Sequence, residues 1–255
     1  TQSRKDIVSN INDSRFMAIC PIDQNKIELE NYYKDTIDWK INRNKIFDLW
    51  GIKNLRKIIK HLNSDDIVHV FTLKSGLLFA FANLFRKNKT KNILTITGLG
   101  YLFSKNFKAK ILKLLLSFFI TRLINKNFSF LMYQNEEDQK IFNNYSKYQG
   151  ESCIIPTSGI TVKEFEIKKE YRNSNLKVIM VTRLIKDKGI FEYLELANLM
   201  KDSDFEFYLA GDVDKGNPDS LNISQLDEIK NNNYINYLGH IDIKKELHNY
   251  DINII

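Results

Sequence analysis

The chain has 255 residues and is 43% hydrophobic and 12% aromatic, which excludes a disordered polypeptide and allows one large or two medium domains. Its formal net charge of +7 suits partners that carry phosphate, either a nucleotide or an anionic membrane surface, although proteins that bind neither often have such an excess. The longest apolar run, residues 111–120, is too short to span a bilayer. Cys20 and Cys153 have no metal-ligand spacing, so we expect a reducing, cytoplasmic setting.

Short apolar runs alternate with helical patterns from the start of the chain to Pro156. The predicted strands are residues 15–20, 66–71, 92–97, 128–133 and 152–155. The predicted helices are residues 3–13, 46–62, 75–86, 106–126 and 136–145, and Ser75 is the predicted cap of the third. Alternation of this kind predicts an α/β layer built on a parallel sheet.

The alternation restarts after a polar linker at residues 173–175. The predicted strands are residues 176–182, 205–210, 234–238 and 251 onward, and the predicted helices are residues 189–200, 220–230 and 244–249. We therefore expect two doubly wound parallel-sheet domains, residues 1–165 and residues 166–255, with ligands beyond the carboxyl ends of the strands. The first residue is not Met and the last run breaks off at Ile255, so we expect a fragment with an incomplete second domain.

The stretch from Val178 to Gly189 is the most informative part of the chain. An apolar run ends at Arg183, and five residues later Lys188 and Gly189 begin a helical pattern. Such a strand–loop–helix junction binds anions, because free backbone N–H groups and the positive end of the helix dipole converge there. Arg183 and Lys188 would add two positive charges, which predicts a diphosphate site. The alternative, two surface charges on an ordinary connection, remains open at this point.

Two more glycines follow predicted strands in the second half. Gly211 ends the strand at 205–210, and Gly239, followed by His240, ends the strand at 234–238. Because the carboxyl ends of parallel strands meet at one edge, we expect these residues to face the same crevice as Arg183 and Lys188. The alternative is that the glycines merely end their strands, but repetition of the pattern at successive strands favours a site.

In the first half, Gly98 and Gly100 follow the strand at 92–97 and precede Tyr101 and Phe103. Two glycines after a strand let the backbone approach a ligand closely, and the aromatic rings offer flat faces for a sugar. The alternative is a tight turn whose aromatic side chains enter the core. A lone Gly-x-Gly is a weak signal, and the third glycine of a dinucleotide site is absent from this sequence.

His69 is predicted at the end of the strand at 66–71, where it could act as a base or a polar contact. A hydrogen-bonded core histidine is the commoner situation for such a residue. The histidines have no metal-ligand spacing, and the sequence contains no Ser–His–Asp elbow, no Walker loop and no zinc pattern. Asp212 and Asp214 could suggest a metal, but nothing else supports one, so we expect a polar loop.

The predicted helix at 106–126 combines positive charge with a strongly apolar run. Its basic residues, together with Lys105 just before it, are Lys105, Lys108, Lys110, Lys113, Arg122 and Lys126. Its apolar residues are Ile111, Leu112, Leu114, Leu115, Leu116, Phe118, Phe119 and Ile120. A helix of this composition could lie on an anionic bilayer, and a core helix with a solvated basic face is an equally good interpretation.

Several short sequence segments, spread along nearly the whole chain, together resemble those of glycosyltransferase family 4. In the first half they are Asp66-Ile-Val-His69-Val-Phe-Thr-Leu-Lys74-Ser, Thr95-Ile-Thr-Gly98-Leu-Gly100-Tyr-Leu-Phe103, Tyr133-Gln134-Asn135-Glu-Glu-Asp138 and Thr157-Ser158-Gly159-Ile. In the second half they are Arg183, Lys188-Gly189, Gly211 with Asn217-Pro218-Asp219-Ser220, and Tyr237-Leu-Gly239-His240. The resemblance implies two facing Rossmann-like domains, the B-type glycosyltransferase fold. The branch it resembles transfers sugars such as N-acetylgalactosamine or galactose onto lipid-diphosphate-linked acceptors in bacteria.

The resemblance also implies a retaining hexosyltransferase that uses a nucleotide-sugar, which we expect to be UDP-linked. The implied donor-binding residues are Arg183, Lys188, Gly211, Gly239 and His240, and the implied acceptor- or sugar-binding residues are Gly98, Gly100, Tyr101 and His69. The cations would neutralise the leaving diphosphate, so we expect no metal and no cofactor. The catalytic glutamate pair of the family would lie beyond Ile255. We expect a peripheral protein on the inner face of the plasma membrane, held through residues 106–126, with a polyprenyl-diphosphate-linked acceptor and no nucleic-acid partner.

Two other hypotheses remain open from the sequence. One is a non-catalytic nucleotide-binding partner or an inactive fragment, and the other is a nucleotide-sugar epimerase, which has the same fold. Titration with nucleoside diphosphates and assays of sugar transfer would distinguish the three. The sequence leaves open which sugar, which base and which linkage are involved.

Overall fold

A computed structural model represents the protein. It describes residues 8, 11, 15–21, 31–42, 45, 47–84, 86, 90–99, 103, 107–156, 159, 162–166, 175–214 and 219–255, and for residues 107–112 and 115–116 the backbone alone. The predicted helix at residues 3–13 lies almost entirely outside the described residues.

The chain divides into two compact units, Thr1–Ile160 and Thr161–Ile255, which we call the N-terminal unit and the C-terminal unit. The predicted boundary between residues 165 and 166 falls shortly after this division. The segment at the boundary is attached to the C-terminal unit, because the Glu164 carboxylate pairs with the Lys244 ammonium and the Glu166 N–H donates to the Lys244 carbonyl at 3.1 Å.

The described strands of the N-terminal unit all pair in parallel. A two-stranded pair contains β1 (Met17–Cys20) and β2 (Asp35–Asp38), and a four-stranded sheet has the order β3 (Ile67–Phe71), β4 (Lys91–Ile96), β5 (Phe130–Tyr133), β6 (Glu151–Ile154). The helices are α1 (Leu49–Ile59), α2 (Leu73–Ala82), α3 (Phe107–Asn127) and α4 (Glu136–Ser146). A helix crosses over between each pair of successive strands from β3 to β6, as parallel pairing requires.

One face of the four-stranded sheet carries the core of the N-terminal unit. Leu94 and Ile96 of β4 and Leu131 of β5 are fully buried, whereas the alternate residues of β4 are half-exposed or exposed. The buried side chains pack in one cluster with Ile124 of α3 and Phe142 of α4. Because side chains alternate along a strand, the second face of this sheet is the more accessible one among the described residues.

The C-terminal unit contains one four-stranded parallel sheet of order β10 (Ile252–Ile254), β7 (Leu176–Val181), β8 (Phe205–Ala210), β9 (Ile235–Gly239). Its helices are α5 (Ile190–Leu199), α6 (Ile223–Lys230) and α7 (Ile243–Glu246), with 3₁₀ turns at Lys186–Lys188 and Leu247–Asn249. Its separate core includes Val178, Met180 and Leu209 of the sheet against Ile190 and Tyr193 of α5.

The predicted fold class, α/β with doubly wound parallel sheets, is confirmed. Strand β2 was missed, because Asp35-Thr-Ile-Asp38 has little apolar signal and is defined by its pairing with β1. Ser75 was the wrong cap for α2: the Thr72 hydroxyl accepts from the Ser75 N–H at 3.4 Å, so the helix begins earlier. Helix α6 begins at Ile223, later than predicted, because Asn222 and Gln225 form a reciprocal capping box.

Candidate donor site at the carboxyl ends of the C-terminal sheet

The order of strands in the C-terminal sheet defines where a ligand should bind. The chain proceeds outward from β7 through β8 to β9, and then returns to place β10 on the other side of β7. The direction of winding therefore reverses between β7 and β10. Ligands of open parallel sheets bind in the crevice at such a reversal, beyond the carboxyl ends of the strands. The chain leaves β7 at this point through Thr182 and Arg183.

Gly211 fixes the backbone at the carboxyl ends of three neighbouring strands. Its N–H donates to the Gly239 carbonyl at 2.7 Å, and its φ is +139°. A Cβ atom on this residue would lie 1.7 Å from the Thr182 carbonyl oxygen, so the close approach of the two backbones requires glycine here. The Tyr237 hydroxyl donates to the Gly211 carbonyl at 2.8 Å, and burial, with a smaller contribution from the Asp212 carboxylate, raises the pKa of Tyr237.

Arg183 lies directly beyond β7 and pairs with a carboxylate from the neighbouring loop. Its Nη1 is 2.7 Å from Oδ2 of Asp214, which follows β8, and the Arg183 side chain remains 63% exposed. A guanidinium has five N–H donors, so one contact of this kind leaves others available to a ligand. A cation with N–H donors to spare therefore lies at the predicted diphosphate site.

Lys188 ends the 3₁₀ turn that connects β7 to α5, and its side chain is exposed. The next residue, Gly189, has φ +72° and precedes the first turn of α5, whose bond from the Tyr193 N–H to the Gly189 carbonyl measures 2.9 Å. The N–H groups before that bond have no partner within the helix and give this end a partial positive charge. The sequence prediction of a loop and a helix start between Arg183 and Gly189 agrees with this geometry.

Gly239 and His240 lie at the carboxyl end of β9, on the same edge of the sheet. Gly239 has φ +67° with open space where a Cβ would point, and the His240 side chain is exposed. Strand β9 is the outer strand, two positions from β7. Among the five predicted donor residues, Arg183 therefore lies beside the strand where the direction of winding reverses, Gly211 follows the next strand, and His240 follows the strand furthest away.

The predicted acceptor residues are only partly among the described residues. Gly98 follows β4 with φ +145° and open space around its Cβ position, whereas Gly100 and Tyr101 lie outside the described residues. Phe103 packs against Tyr145, with ring centroids 5.1 Å apart. This contact agrees with the alternative that Phe103 enters the core.

The position predicted for His69 was wrong in two respects. His69 occupies the middle of β3 rather than its end, and its side chain is exposed rather than buried in the core. The imidazole Nε2 lies 2.7 Å from the Thr95 hydroxyl on β4, and the ring stacks on Phe71 at 4.1 Å. The side chain therefore belongs to the more accessible face of the N-terminal sheet.

Sequence reasoning missed two residues of these loops. Asp214 was expected only in a polar loop, and its carboxylate pairs with Arg183. Thr72, between β3 and α2, has φ +76° and ψ +144°, a strained conformation for a β-branched residue at the carboxyl edge of the sheet. No sequence signal marks this strain, because a glycine is the residue that such backbone angles predict.

Helix α3 presents apolar side chains to solvent. Leu114, Phe118 and Phe119 are 76%, 68% and 56% exposed, whereas Ile120 and Ile124 are buried. Lys113 is not a freely projecting charge, because its Nζ lies 4.9 Å from the centre of the Phe103 ring. Within the described part of the chain, no helix has the length and apolar character needed to cross a membrane.

No cluster of three His, Cys, Asp or Glu side chains suitable for a metal ion occurs among the residues that the structure describes. Cys20 and Cys153, both among the described residues, are not joined in a disulfide. The expectation that the reaction requires no metal stays a prediction.

Comparisons with known proteins find the same α/β fold in B-type glycosyltransferases. Residues 14–127 match the family model described as glycosyl transferase 4-like. The chain is also 27% identical to the N,N'-diacetylbacillosaminyl-diphospho-undecaprenol alpha-1,3-N-acetylgalactosaminyltransferase of Campylobacter jejuni, over 99% of this chain and 70% of that protein. The predicted resemblance to family 4 glycosyltransferases is confirmed by these matches.

Solved structures share the fold at low sequence identity. Anabaena HepE in complex with UDP-glucose superimposes with a TM-score of 0.63 at 15% identity, over 94% of this chain and 64% of HepE. Sucrose-phosphate synthase from Thermosynechococcus elongatus gives 0.57 at 16% identity, over 82% of this chain and 55% of the synthase. A UDP-N-acetylglucosamine 2-epimerase gives 0.56 at 8% identity, over 97% of this chain and 66% of the epimerase. The chain thus spans less than two thirds of the length of HepE, and the likeness to all three is one of fold.

Proposed function

We propose that the protein transfers a sugar from a UDP-linked donor to a polyprenyl-diphosphate-linked saccharide in the assembly of a bacterial surface polysaccharide or glycan. The observation that carries this proposal is the reversal of winding beside β7, where Arg183 stands at the carboxyl end of the strand. The Campylobacter relative, which is named for an undecaprenyl-diphosphate-linked acceptor, supports the class of acceptor. The complex of HepE with UDP-glucose supports the class of donor.

In this proposal the C-terminal unit binds the nucleotide diphosphate. Arg183 and Lys188 supply positive charge, and the N-terminus of α5 supplies N–H groups and a partial positive charge. Gly239, with open space at its Cβ position, lets the backbone approach the donor closely, Gly211 lets the strand ends that frame the site pack together, and His240 contributes from the outer strand. When the glycosidic bond to the diphosphate breaks, negative charge develops on the leaving phosphate, and these fixed cations stabilise it in place of a metal ion. We propose that the sugar keeps its anomeric configuration, as in the retaining family.

The N-terminal unit would bind the acceptor. Gly98, Gly100, Tyr101 and His69 are the proposed contacts to the acceptor and the transferred sugar. A polyprenyl tail requires access to the bilayer, and the exposed apolar residues of α3 provide a surface compatible with lipid. Arg122 and Lys126 on the same helix are exposed and would attract anionic headgroups. We therefore propose a peripheral protein on the cytoplasmic face of the plasma membrane.

The proposal is tested by incubating the full-length protein with radiolabelled UDP-sugars and a polyprenyl-diphosphate-linked saccharide, followed by extraction of the lipid. Label in the lipid fraction that depends on the acceptor supports the transferase, and NMR of the product reports whether configuration is retained. Conversion of the UDP-sugar to its epimer without acceptor would instead identify an epimerase. Binding of UDP with neither product, across a panel of donors, would identify a non-catalytic nucleotide-binding protein.

A further inference from the structure

Two loops beyond the carboxyl ends of β7 and β8 are joined into a single platform. The Leu184 N–H donates to the Asp212 carbonyl at 2.9 Å, and the Leu221 N–H donates back to the Leu184 carbonyl at 3.0 Å. The Ser220 hydroxyl accepts from the Asp214 N–H at 2.9 Å. The Asp214 backbone is thereby held by the Ser220 hydroxyl, and Asp212, two residues before it, is held by the Leu184 N–H.

The Asp214 carboxylate is less accessible than the guanidinium it contacts. The exposed fraction is 31% for the Asp214 side chain and 63% for Arg183. The contact joins one terminal nitrogen, Nη1, to one oxygen, Oδ2, at 2.7 Å. An exposed arginine otherwise samples many rotamers, and a ligand that requires one of them must offset the lost side-chain entropy. A carboxylate fixed by the loop backbone removes part of that cost before the ligand arrives.

We propose that Asp214 is a positioning residue that orients Arg183 toward the diphosphate of the nucleotide-sugar. This inference rests on the proposed function, since it assigns the direction in which Arg183 acts. Asp214 does not touch the donor in this account; it holds one end of the guanidinium so that the remaining N–H groups face the crevice beside β7. The favourable effect of Asp214 on donor binding therefore acts through Arg183.

A carboxylate close to a diphosphate also repels it. The Asp214 charge therefore has two opposing effects on UDP affinity, and the direction of the change on its removal shows which one is larger. If repulsion dominated, removal of the Asp214 charge would strengthen UDP binding. If orientation dominates, as we propose, removal of the charge weakens binding even though a negative charge has been taken away from an anion-binding site. The direction of the change separates the two physical effects.

The test compares the full-length wild type with Asp214→Asn, Asp214→Glu, Arg183→Ala and the double variant Arg183→Ala/Asp214→Asn. UDP affinity is measured by calorimetry, and KM and kcat are measured for the UDP-sugar. We expect Asp214→Asn to weaken UDP binding and raise the donor KM about three- to tenfold, the range of one ordinary net hydrogen bond, because Arg183 itself remains. A drop in kcat should accompany this change, because Arg183 also stabilises the charge on the leaving diphosphate. Asp214→Glu should recover part of the loss, because it restores the carboxylate. In the Arg183→Ala background, Asp214→Asn should cause no further loss.

Glu228→Gln provides the charge-matched control, because Glu228 is exposed on α6 and its replacement changes the net charge by the same amount. The inference would be overturned if Asp214→Asn bound UDP as tightly as the wild type or more tightly. It would also be overturned if Asp214→Asn weakened UDP binding in the Arg183→Ala background, because that loss would indicate a general effect on the loop. Urea unfolding of each variant identifies that general effect independently. Wild-type UDP affinity in Arg183→Ala would overturn the diphosphate assignment itself, and so distinguishes failure of the proposed function from failure of this inference.

Discussion

The carboxyl edges of the two units are constructed differently, although both units are parallel sheets with crossover helices. In the C-terminal unit, the Thr182 N–H donates to the Ala210 carbonyl and the Gly211 N–H donates to the Gly239 carbonyl, which joins three strand ends. Gly211 also lies so close to the Thr182 carbonyl that no Cβ fits. In the N-terminal unit, the corresponding glycine after β4, Gly98, has open space around it. Among the described residues of that unit, the accessible side chains include His69 on the sheet and Leu114, Phe118 and Phe119 on α3.

This difference fits the two ligands that we propose. A nucleoside diphosphate is small, highly charged and common to many donors, so a site fixed by the backbone and two cations can bind it rigidly. An acceptor with a polyprenyl tail is large and enters from a membrane, which favours a broader surface made of side chains. The comparison predicts that substitutions in the C-terminal unit affect donor use and local stability, whereas those in the N-terminal unit affect membrane binding.

The largest expected effect is loss of transfer when both donor cations are removed. Arg183→Ala and Lys188→Ala should each lower kcat/KM for the UDP-sugar roughly ten- to a hundredfold, because a charge-assisted contact to phosphate is worth about 1.5–3 kcal/mol. The double variant should retain almost no activity in the radiolabel assay. Lys186→Ala is the matched control, because Lys186 is an exposed lysine of the same 3₁₀ turn and has no role in the proposal. Wild-type kinetics in the double variant would show that the diphosphate does not bind at this edge of the sheet.

A matched pair of glycine substitutions tests the difference in backbone packing. Gly211 and Gly98 have nearly the same φ, +139° and +145°, so alanine is strained at both positions, by about 1–3 kcal/mol. Only Gly211→Ala also forces a Cβ into the Thr182 carbonyl, which should cost at least about 1–3 kcal/mol more. Urea unfolding should therefore show a clearly larger loss for Gly211→Ala. Equal losses in the two variants would mean that the carboxyl edge of the C-terminal sheet is looser than the structure shows.

The sequence predicted the C-terminal unit better than the details of its site. Strands β7 and β8 are apolar runs bounded by polar or glycine residues, and such runs identify buried parallel strands without any knowledge of partners. The glycine at 211 was predictable as the end of a strand, but its contact with Thr182 depends on the pairing of β7 with β8. Asp212 and Asp214 look equivalent in the sequence, and only the fold shows that Asp214 reaches Arg183, 31 residues away.

In the N-terminal unit the sequence was less informative for a different reason. Strand β2 has two acidic ends and little apolar character, so its existence depends on β1. His69 could be assigned to β3 from the apolar run, but its place within the strand and its contact with Thr95 depend on the register with β4. The basic and apolar residues of α3 could be read from the sequence. Which apolar residues are buried, such as Ile120 and Ile124, and which are exposed, such as Phe118, depends on the packing of the helix.

Two leucines with nearly the same exposure test whether membrane binding belongs to the N-terminal unit. Leu114 on α3 is 76% exposed and Leu199 at the end of α5 is 75% exposed. Leu114→Ser should lower partitioning into anionic phosphatidylglycerol vesicles at least about tenfold, since full burial of a leucine side chain is worth about 1.5–3 kcal/mol, whereas Leu199→Ser should have no effect. Binding of the wild type should weaken with added salt, because the Debye length falls to about 3 Å at 1 M. Equal effects of the two substitutions, or no binding to vesicles at low salt, would contradict this assignment.

The smallest expected effect concerns a tyrosine that anchors α3 in the N-terminal unit. The Tyr145 hydroxyl donates to the Lys113 carbonyl at 2.6 Å, and burial raises the pKa of Tyr145 to about 12. Tyr145→Phe should cost about 1 kcal/mol of stability near neutral pH. The folded state favours the neutral phenol, and an unfolded tyrosine ionises near pH 10, so the stabilisation is complete below pH 10 and is lost as the pH rises toward 12.

The difference in urea stability between wild type and Tyr145→Phe should therefore shrink from pH 9 to pH 12. Tyr234→Phe, at an exposed tyrosine of the C-terminal unit, serves as the control for alkaline effects on the rest of the molecule. A difference between wild type and Tyr145→Phe that stays constant over this range would show that the phenol is not held in its neutral form by burial.

The most direct test of the donor site is a crystal structure of the full-length protein with UDP. The account predicts that the diphosphate lies beyond the carboxyl end of β7, with phosphate oxygens within about 3 Å of the Arg183 guanidinium and close to the N-terminus of α5. The contact between Arg183 and Asp214 should persist in that complex. A diphosphate bound away from β7, with Arg183 turned toward solvent, would contradict the central claim that this strand end binds the donor.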